Sequence, residues 1–168
     1  LYIFKKSKTY TLLVIVVDDI LLATNDVQHA KHFEREMKKV FDLKSMGTPK
    51  YMIGMNLSRS KNKLHISQKE YIRDLAHRFE VTNDKPTRLP ASSAVRLVAT
   101  GISGQSESPP INEKSYRSLV GALMYAILTR PDVATSVSMS ARFLQAPRQA
   151  HMKFALKILS YLCLLYTS

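Results

Sequence analysis

The sequence is poor in cysteine and in acid, and it contains no long apolar run. Its single cysteine, Cys163, excludes an internal disulfide framework and a cysteine zinc cluster. No apolar stretch approaches the ~18 residues that span a bilayer. Thr11–Val17 and Ile20–Ala23 fall short, because Asp18 and Asp19 interrupt them. No membrane partner is therefore expected. The opening LYIFKKSK lacks the basic-then-apolar order of a signal peptide. It starts without methionine in what reads as mid-strand, as a piece of a longer chain would. Acidic residues number 13 against 25 basic ones, for a net charge of +12. The excess is spread: residues 1–80 hold 15 basic and 9 acidic side chains, and residues 81–168 hold 10 and 4. So broad a positive field suits a polyanion such as nucleic acid, or serves solubility alone. With 45% apolar residues in 168, the chain can bury a core in one domain or two small ones.

The pattern along the chain is strand-rich first and helical later. Leu1–Phe4 and Tyr10–Val17 read as strands, and Ile20–Ala23 resumes the second beyond the two aspartates, so a hairpin with both carboxylates at or beside its turn is predicted. Asn25 or Asp26 should cap a helix, with Gln28 as reciprocal partner and Val27, Ala30, Phe33, Met37 and Val40 on its apolar face. Tyr51–Leu57 and Leu64–Ile66 read as a second hairpin around the basic turn RSKNK, Arg59–Lys63. Ser67-Gln68-Lys69-Glu70 has the form of a capping box, opening a helix with Ile72, Leu75, Ala76 and Phe79 inward. Periodicity fails from about Val81 to Glu113, where prolines, glycines and serines describe a linker. It returns with Tyr116, Leu119, Val120, Leu123 and Met124. Thr129-Arg130-Pro131-Asp132 and Ala146-Pro147 then start further helices. The fold class expected is α+β.

Asp18 and Asp19 carry the sharpest question. Their apolar flanks bring them close to a packed surface, where adjacent like charges need a counter-charge. A lysine or arginine could supply it. So could a divalent metal held by oxygen ligands, as magnesium prefers. Two such ions about 3.5–4 Å apart serve phosphoryl transfer, usually with a third carboxylate on a neighbouring strand. Asp26 and Asp42 are badly placed for that part. His29 and His32, about one helical turn apart, read as a solvated helix face rather than as ligands. Arg59, Lys61 and Lys63 lie on a turn able to reach phosphate or simply solvated. Arg117 could touch nucleic acid, whereas Arg130 reads as a tie between helix ends.

The order of motifs resembles reverse transcriptases of copia-type LTR retrotransposons. Val17-Asp18-Asp19-Ile20-Leu21-Leu22 resembles the Y-V-D-D core on the palm hairpin, with Val16 where the family usually has tyrosine. Phe41–Gly47 followed by Tyr51–Met55 resembles F-x-M-K-D-L-G … F-L-G-I. Leu64–Ile72, ending at Arg78-Phe79, resembles I-x-L-S-Q-x-x-Y-I … R-F. Tyr116–Tyr125 followed by Thr129–Asp132 is similar to Y-R-x-L-V-G-x-L-M-Y … T-R-P-D, and Ser140–Phe143 and His151 continue it. The resemblance runs from Leu1 to about Leu162. The tail CLLYTS and Leu89-Pro90, in place of threonine-proline, depart from it.

This resemblance implies a partial palm and primer-grip-like hairpin over 1–66, the start of the thumb over 67–80, a linker over 81–113, a helical thumb or connection region over 114–162, and a divergent tail over 163–168. It implies catalytic, metal-binding roles for Asp18 and Asp19, with Mg2+ or Mn2+ as cofactor. Tyr51, Met52, Ile53 and Gly54 would form the primer-grip-like turn, and Arg59, Lys61, Lys63 and Arg117 would meet phosphates without reading sequence. Implied partners are an RNA template, a primer or DNA duplex, deoxynucleotides, an N-terminal palm and fingers bearing the third carboxylate, and a downstream RNase H region. Action in a cytoplasmic particle or the nucleus follows by the same resemblance. Alone, the chain is expected to be inactive, with the Thr11–Val17 strand left with an exposed edge or a bare face. Two alternatives stay open: a non-catalytic basic module that binds nucleic acid or its own polyprotein, and a non-functional retroelement remnant.

Overall fold

In the computed structural model, residues 1–81, 87, 89–90 and 95–167 are described, with side chains through Leu164. Pro86, expected in the linker, lies outside them. The elements are mixed α and β, and they form two compact units, Leu1–Thr48 and Pro49–Ser168.

The first unit is a three-stranded antiparallel meander, β1 (Tyr2–Lys6), β2 (Thr9–Val16) and β3 (Asp19–Thr24), followed by helix α1 (Val27–Lys38). The β-branched run of β2 takes the centre, so both its edges are hydrogen-bonded. What is bare is a face. Phe4, Thr11 and Thr24 share one side by register, and His29 of α1 stacks on Phe4 there with centroids 4.9 Å apart. Ile3 and Leu12 share the other side and are 70% and 43% exposed. Among the described residues of this unit only Thr11 is buried, and its hydroxyl donates to Thr24 Oγ1 at 2.9 Å.

Of the two caps expected for helix α1 one serves, and the reciprocal partnership of Gln28 with Asn25 does not form. Asp26 alone caps it, its carboxylate accepting from the N–H groups of Gln28 and His29. Those bonds, His29's first, hold the Asp26 carboxyl below its ordinary range. Asn25 instead behaves as an added strand residue, its amide donating to Lys8 O and accepting from Tyr10 N, both at 2.8 Å. Ala30, Phe33 and Met37 are half-buried, whereas Val27 and Val40 face solvent.

The second unit holds the core. A short sheet of β4 (Tyr51–Met52), β5 (Met55–Ser60) and β6 (Lys63–Ser67) leads into α2 (Lys69–Arg78). A small hairpin, β7 (Leu97–Val98) with β8 (Gly101–Ile102), precedes α3 (Glu113–Ala126). A 3-10 turn over Pro131–Val133, α4 (Ala134–Ala141) and α5 (Gln149–Thr167) complete it. Every described residue of the apolar core lies between Ile72 and Leu162, including Tyr116, Leu119, Val120, Leu123, Ile158 and Leu159. The helical periodicity of α3 thus packs as expected, except that Met124 is 53% exposed.

Two local expectations are replaced. No reciprocal capping box forms at α2: Ser67 Oγ accepts from Lys69 N at 3.2 Å, while Glu70 pairs with Arg73. The stretch read as linker contributes Val81 and Leu97 to the core and carries the β7–β8 hairpin. The hairpin is pinned by His151, which is fully buried: its Nδ1 accepts from Arg148 N at 3.0 Å, so Nε2 carries the hydrogen donated to Val98 O at 2.8 Å. A one-dimensional pattern cannot show such a cross-chain partner. Helix α5 itself runs on through the divergent tail as far as Thr167.

Candidate active-site hairpin and nucleic-acid contacts

β2 and β3 are joined by the two residues Val17 and Asp18, and Asp19 opens β3 opposite Val16. A two-residue turn that matches strand twist needs a left-handed residue. Here Val17 supplies it, with φ of 53°. For a β-branched residue that conformation costs roughly 1–2 kcal/mol. Its side chain is 90% exposed and recovers nothing by packing. The turn sets Asp18 and Asp19 side by side, both exposed and with no ion pair among the described residues. The packed surroundings expected from the apolar flanks are absent, because those flanks fill the faces of the sheet while the turn extends past its end. Two adjacent exposed carboxylates are a hard-oxygen donor set of the kind magnesium takes, but an incomplete one. Among the described residues no group of three His, Cys, Asp or Glu side chains could hold a metal. His29 is stacked on Phe4 and His32 meets Arg35 at 2.9 Å, so the two are directed to different neighbours.

In the second unit, Tyr51 and Met52 form β4, and Ile53 and Gly54 are the two-residue turn into β5. Both turn residues are left-handed, at φ 51° and 72°. The Tyr125 hydroxyl of α3 donates to Ile53 O. A Cβ on Gly54 would lie 3.0 Å from Tyr125 Oη, so glycine is demanded both by the backbone angle and by the tyrosine. Tyr125 and Val17 stand in the sequence only as members of longer motifs, without a role of their own; the one local signal was a β-branched residue beside Gly54 and beside Asp18.

β5 and β6 turn at Lys61 and Asn62, with Arg59 opposite Leu64 and Ser60 opposite Lys63. Arg59, Lys61 and Lys63 are exposed together at this tip, with no ion pair among the described residues. Arg117 stands apart on α3. Its Nε donates to Leu144 O at 2.9 Å, and its guanidinium meets Glu113 at 2.9 Å. Arg130 grips Asp132 through two bonds of 2.9 and 2.6 Å, and Tyr161 adds a third at 2.7 Å. The Arg130 bond, foremost, holds the Asp132 carboxyl below its ordinary range.

With this geometry in hand, residues 1–93 match the family described as reverse transcriptase (RNA-dependent DNA polymerase), and the chain belongs to that family. Within it, the chain is of the copia retrotransposon type. It is 33% identical, over 93% of its length, to the retrovirus-related Pol polyprotein from transposon TNT 1-94 of Nicotiana tabacum. It is 30% identical, over 96% of its length, to the Pol polyprotein from transposon RE1 of Arabidopsis thaliana. A Ty5-1 transposon protein of Saccharomyces cerevisiae matches all of it at 30% identity. The chain spans 12% and 11% of the two plant polyproteins and 56% of the yeast protein. No solved structure matches it.

Proposed function

We propose that this chain supplies the aspartate hairpin and the primer-holding hairpin of an RNA-directed DNA polymerase within a copia-type Pol polyprotein. The observation that carries this reading is the setting of Asp18 and Asp19 on one exposed turn inside the family match. Magnesium or manganese, when bound, supplies Lewis-acid stabilisation of the attacking and leaving oxygens of nucleotidyl transfer. Asp18, the direct ligand, and Asp19 would hold it, with a third carboxylate supplied from a fingers and palm portion outside this sequence. The Tyr51–Gly54 turn would keep the primer 3′ end in place. Arg59, Lys61 and Lys63 take backbone phosphates, and Arg117 joins them by exchanging Glu113 for a phosphate. In this reading residues 1–66 serve the palm, 67–80 begin the thumb, 81–113 connect, and 114–162 form the thumb and the lead into an RNase H region. RNA template, primer duplex and deoxynucleotides are the partners of the whole polyprotein, acting in a cytoplasmic particle or the nucleus.

In this reading the chain alone does not polymerise, because among the described residues no third carboxylate joins Asp18 and Asp19. Primer extension on an RNA template with magnesium or manganese tests this. The expected result is no product, and robust synthesis abolished by Asp18→Asn would show the chain to be sufficient. Metal binding is tested separately by manganese broadening of the backbone signals around Asp18 and Asp19. Loss of that broadening in the Asp18→Asn/Asp19→Asn variant is expected, and its absence in the unaltered chain counts against the metal role.

The cluster of three exposed cations at the β5–β6 tip favours a second reading, a non-catalytic basic module that binds nucleic acid. Duplex binding that weakens steeply with salt, with a slope reduced by about 1 for each of Lys61→Ala and Lys63→Ala, fits both readings. Independence of that binding from manganese and from Asp18 and Asp19 selects the second.

A further inference from the structure

The turn between β4 and β5 is strained, and something must hold it. Ile53 is β-branched at φ 51°, a conformation that persists only where the surroundings over-determine it. Those surroundings come from the end of α3. The Tyr125 hydroxyl donates to Ile53 O. The Tyr125 ring is itself fixed edge-on against Tyr71, centroids 4.9 Å apart at 82°, and Tyr71 donates to Ala122 O at 3.0 Å. At the same end of the three-stranded sheet, just past β6, whose Ser67 pairs with Asn56, Gln68 is 1% exposed and donates through Nε2 to the Tyr125 carbonyl at 3.1 Å. Thr129 Oγ1 completes it by donating to Gln68 Oε1 at 2.6 Å. Tyr125 thus receives the chain leaving β6 on its carbonyl and grips the neighbouring β4–β5 turn with its hydroxyl.

We propose that Tyr125 is a positioning residue that locks the Ile53–Gly54 turn to helix α3 and thereby sets where a primer 3′ end is held. The inference rests on the primer-holding role given to this turn above. Its physical content is specific. Tyr71 and Gln68 orient the tyrosine, the tyrosine orients the Ile53 peptide, and Gly54 is the only residue type that leaves Oη its room. The turn accordingly belongs with the helices, and a change in the last turn of α3 is transmitted to it directly.

The test uses the full chain. Tyr125→Phe removes the hydroxyl and keeps the ring against Tyr71. Hydrogen exchange at Gly54 and Met55 should accelerate about fivefold or more, the equivalent of losing one hydrogen bond. The midpoint of urea unfolding of the helical core should stay within error. An RNA·DNA hybrid with a recessed 3′ end should lose a similar factor of preference over a blunt hybrid. Gly54→Ala should perturb the turn strongly alone and less in combination with Tyr125→Phe, which deletes the atom the new methyl group meets; this non-additivity marks direct coupling. Unchanged exchange in Tyr125→Phe overturns the lock. Accelerated exchange with an undiminished recessed-end preference overturns its role at the primer end. An unaltered chain with no recessed-end preference is the distinct failure of the primer-holding reading, and the exchange result then decides the lock alone.

Discussion

Val17 sits at φ 53° in front of two carboxylates, with its side chain almost wholly in water. Glycine at that position relieves the left-handed strain but gives back part of the gain through the freer unfolded chain. Val17→Gly is therefore expected to stabilise the first unit by about 0.5–1 kcal/mol, read as a higher urea midpoint of the β-sheet signal. A lower midpoint would show that the turn is not strained. Tyr116 makes the complementary case in the core. It is fully buried, its hydroxyl donates to Ser140 O at 2.8 Å, and burial pushes its pKa up to about 12. A phenol whose pKa is raised on folding contributes stability that is present below pH 10, its unfolded value, and is lost as pH rises from there toward 12. Tyr116→Phe should flatten that alkaline loss in urea midpoints measured from pH 8 to 11. At neutral pH it should cost about 0.5–1 kcal/mol, since Phe143 N still donates to Ser140 O at 3.1 Å.

Among the elements, the hairpin β7–β8 shows how a stretch without periodicity becomes ordered. Its anchor is the imidazole of His151 between Arg148 N and Val98 O, stacked on Phe143 at 4.1 Å. His151→Leu leaves the half-buried Arg148 N–H and Val98 C=O without their side-chain partner, at a cost of about 1–3 kcal/mol each. Global stability should fall by about 2–6 kcal/mol on that basis. Amide protection over 97–102 should be lost before that of α3, which hydrogen exchange under mild denaturant resolves. The sequence did announce α3 itself through Tyr116, Leu119, Val120 and Leu123, and it announced both long hairpins, although it read Tyr51–Leu57 as one strand where the chain turns at Ile53 and Gly54. It did not announce β7–β8, because Leu97 is buried by contacts with distant helices rather than by any local repeat.

For the molecule as a whole, burial is lopsided. The first unit buries Thr11 alone among its described residues, whereas the second holds the entire described core. Chains of that small size with so little buried surface are marginal by themselves. Residues 49–168 expressed alone should unfold cooperatively, and residues 1–48 alone should unfold over a broader transition at a lower urea midpoint by circular dichroism. The open face of the first sheet, with Ile3 opposite Leu12, is also a liability for self-association. Among the described residues no helix is long and apolar enough to cross a membrane.

The sequence by itself determined the α+β order, the family, and the position of Asp18 and Asp19 on a hairpin, because these depend on local periodicity and on motifs written contiguously. It also marked Arg59, Lys61 and Lys63 as one basic tip, since a hairpin brings near neighbours together. Only the tertiary structure decided that the aspartates stand exposed, that Asn25 extends the sheet while Asp26 caps the helix, and that Arg117 is drawn to Glu113 and Leu144. It alone joined Ile53 to Tyr125 across 72 positions of chain. The physical reason is common to all of these. Exposure, strain and hydrogen-bond partners are set by which distant groups compete for the same space, and no local pattern encodes that competition.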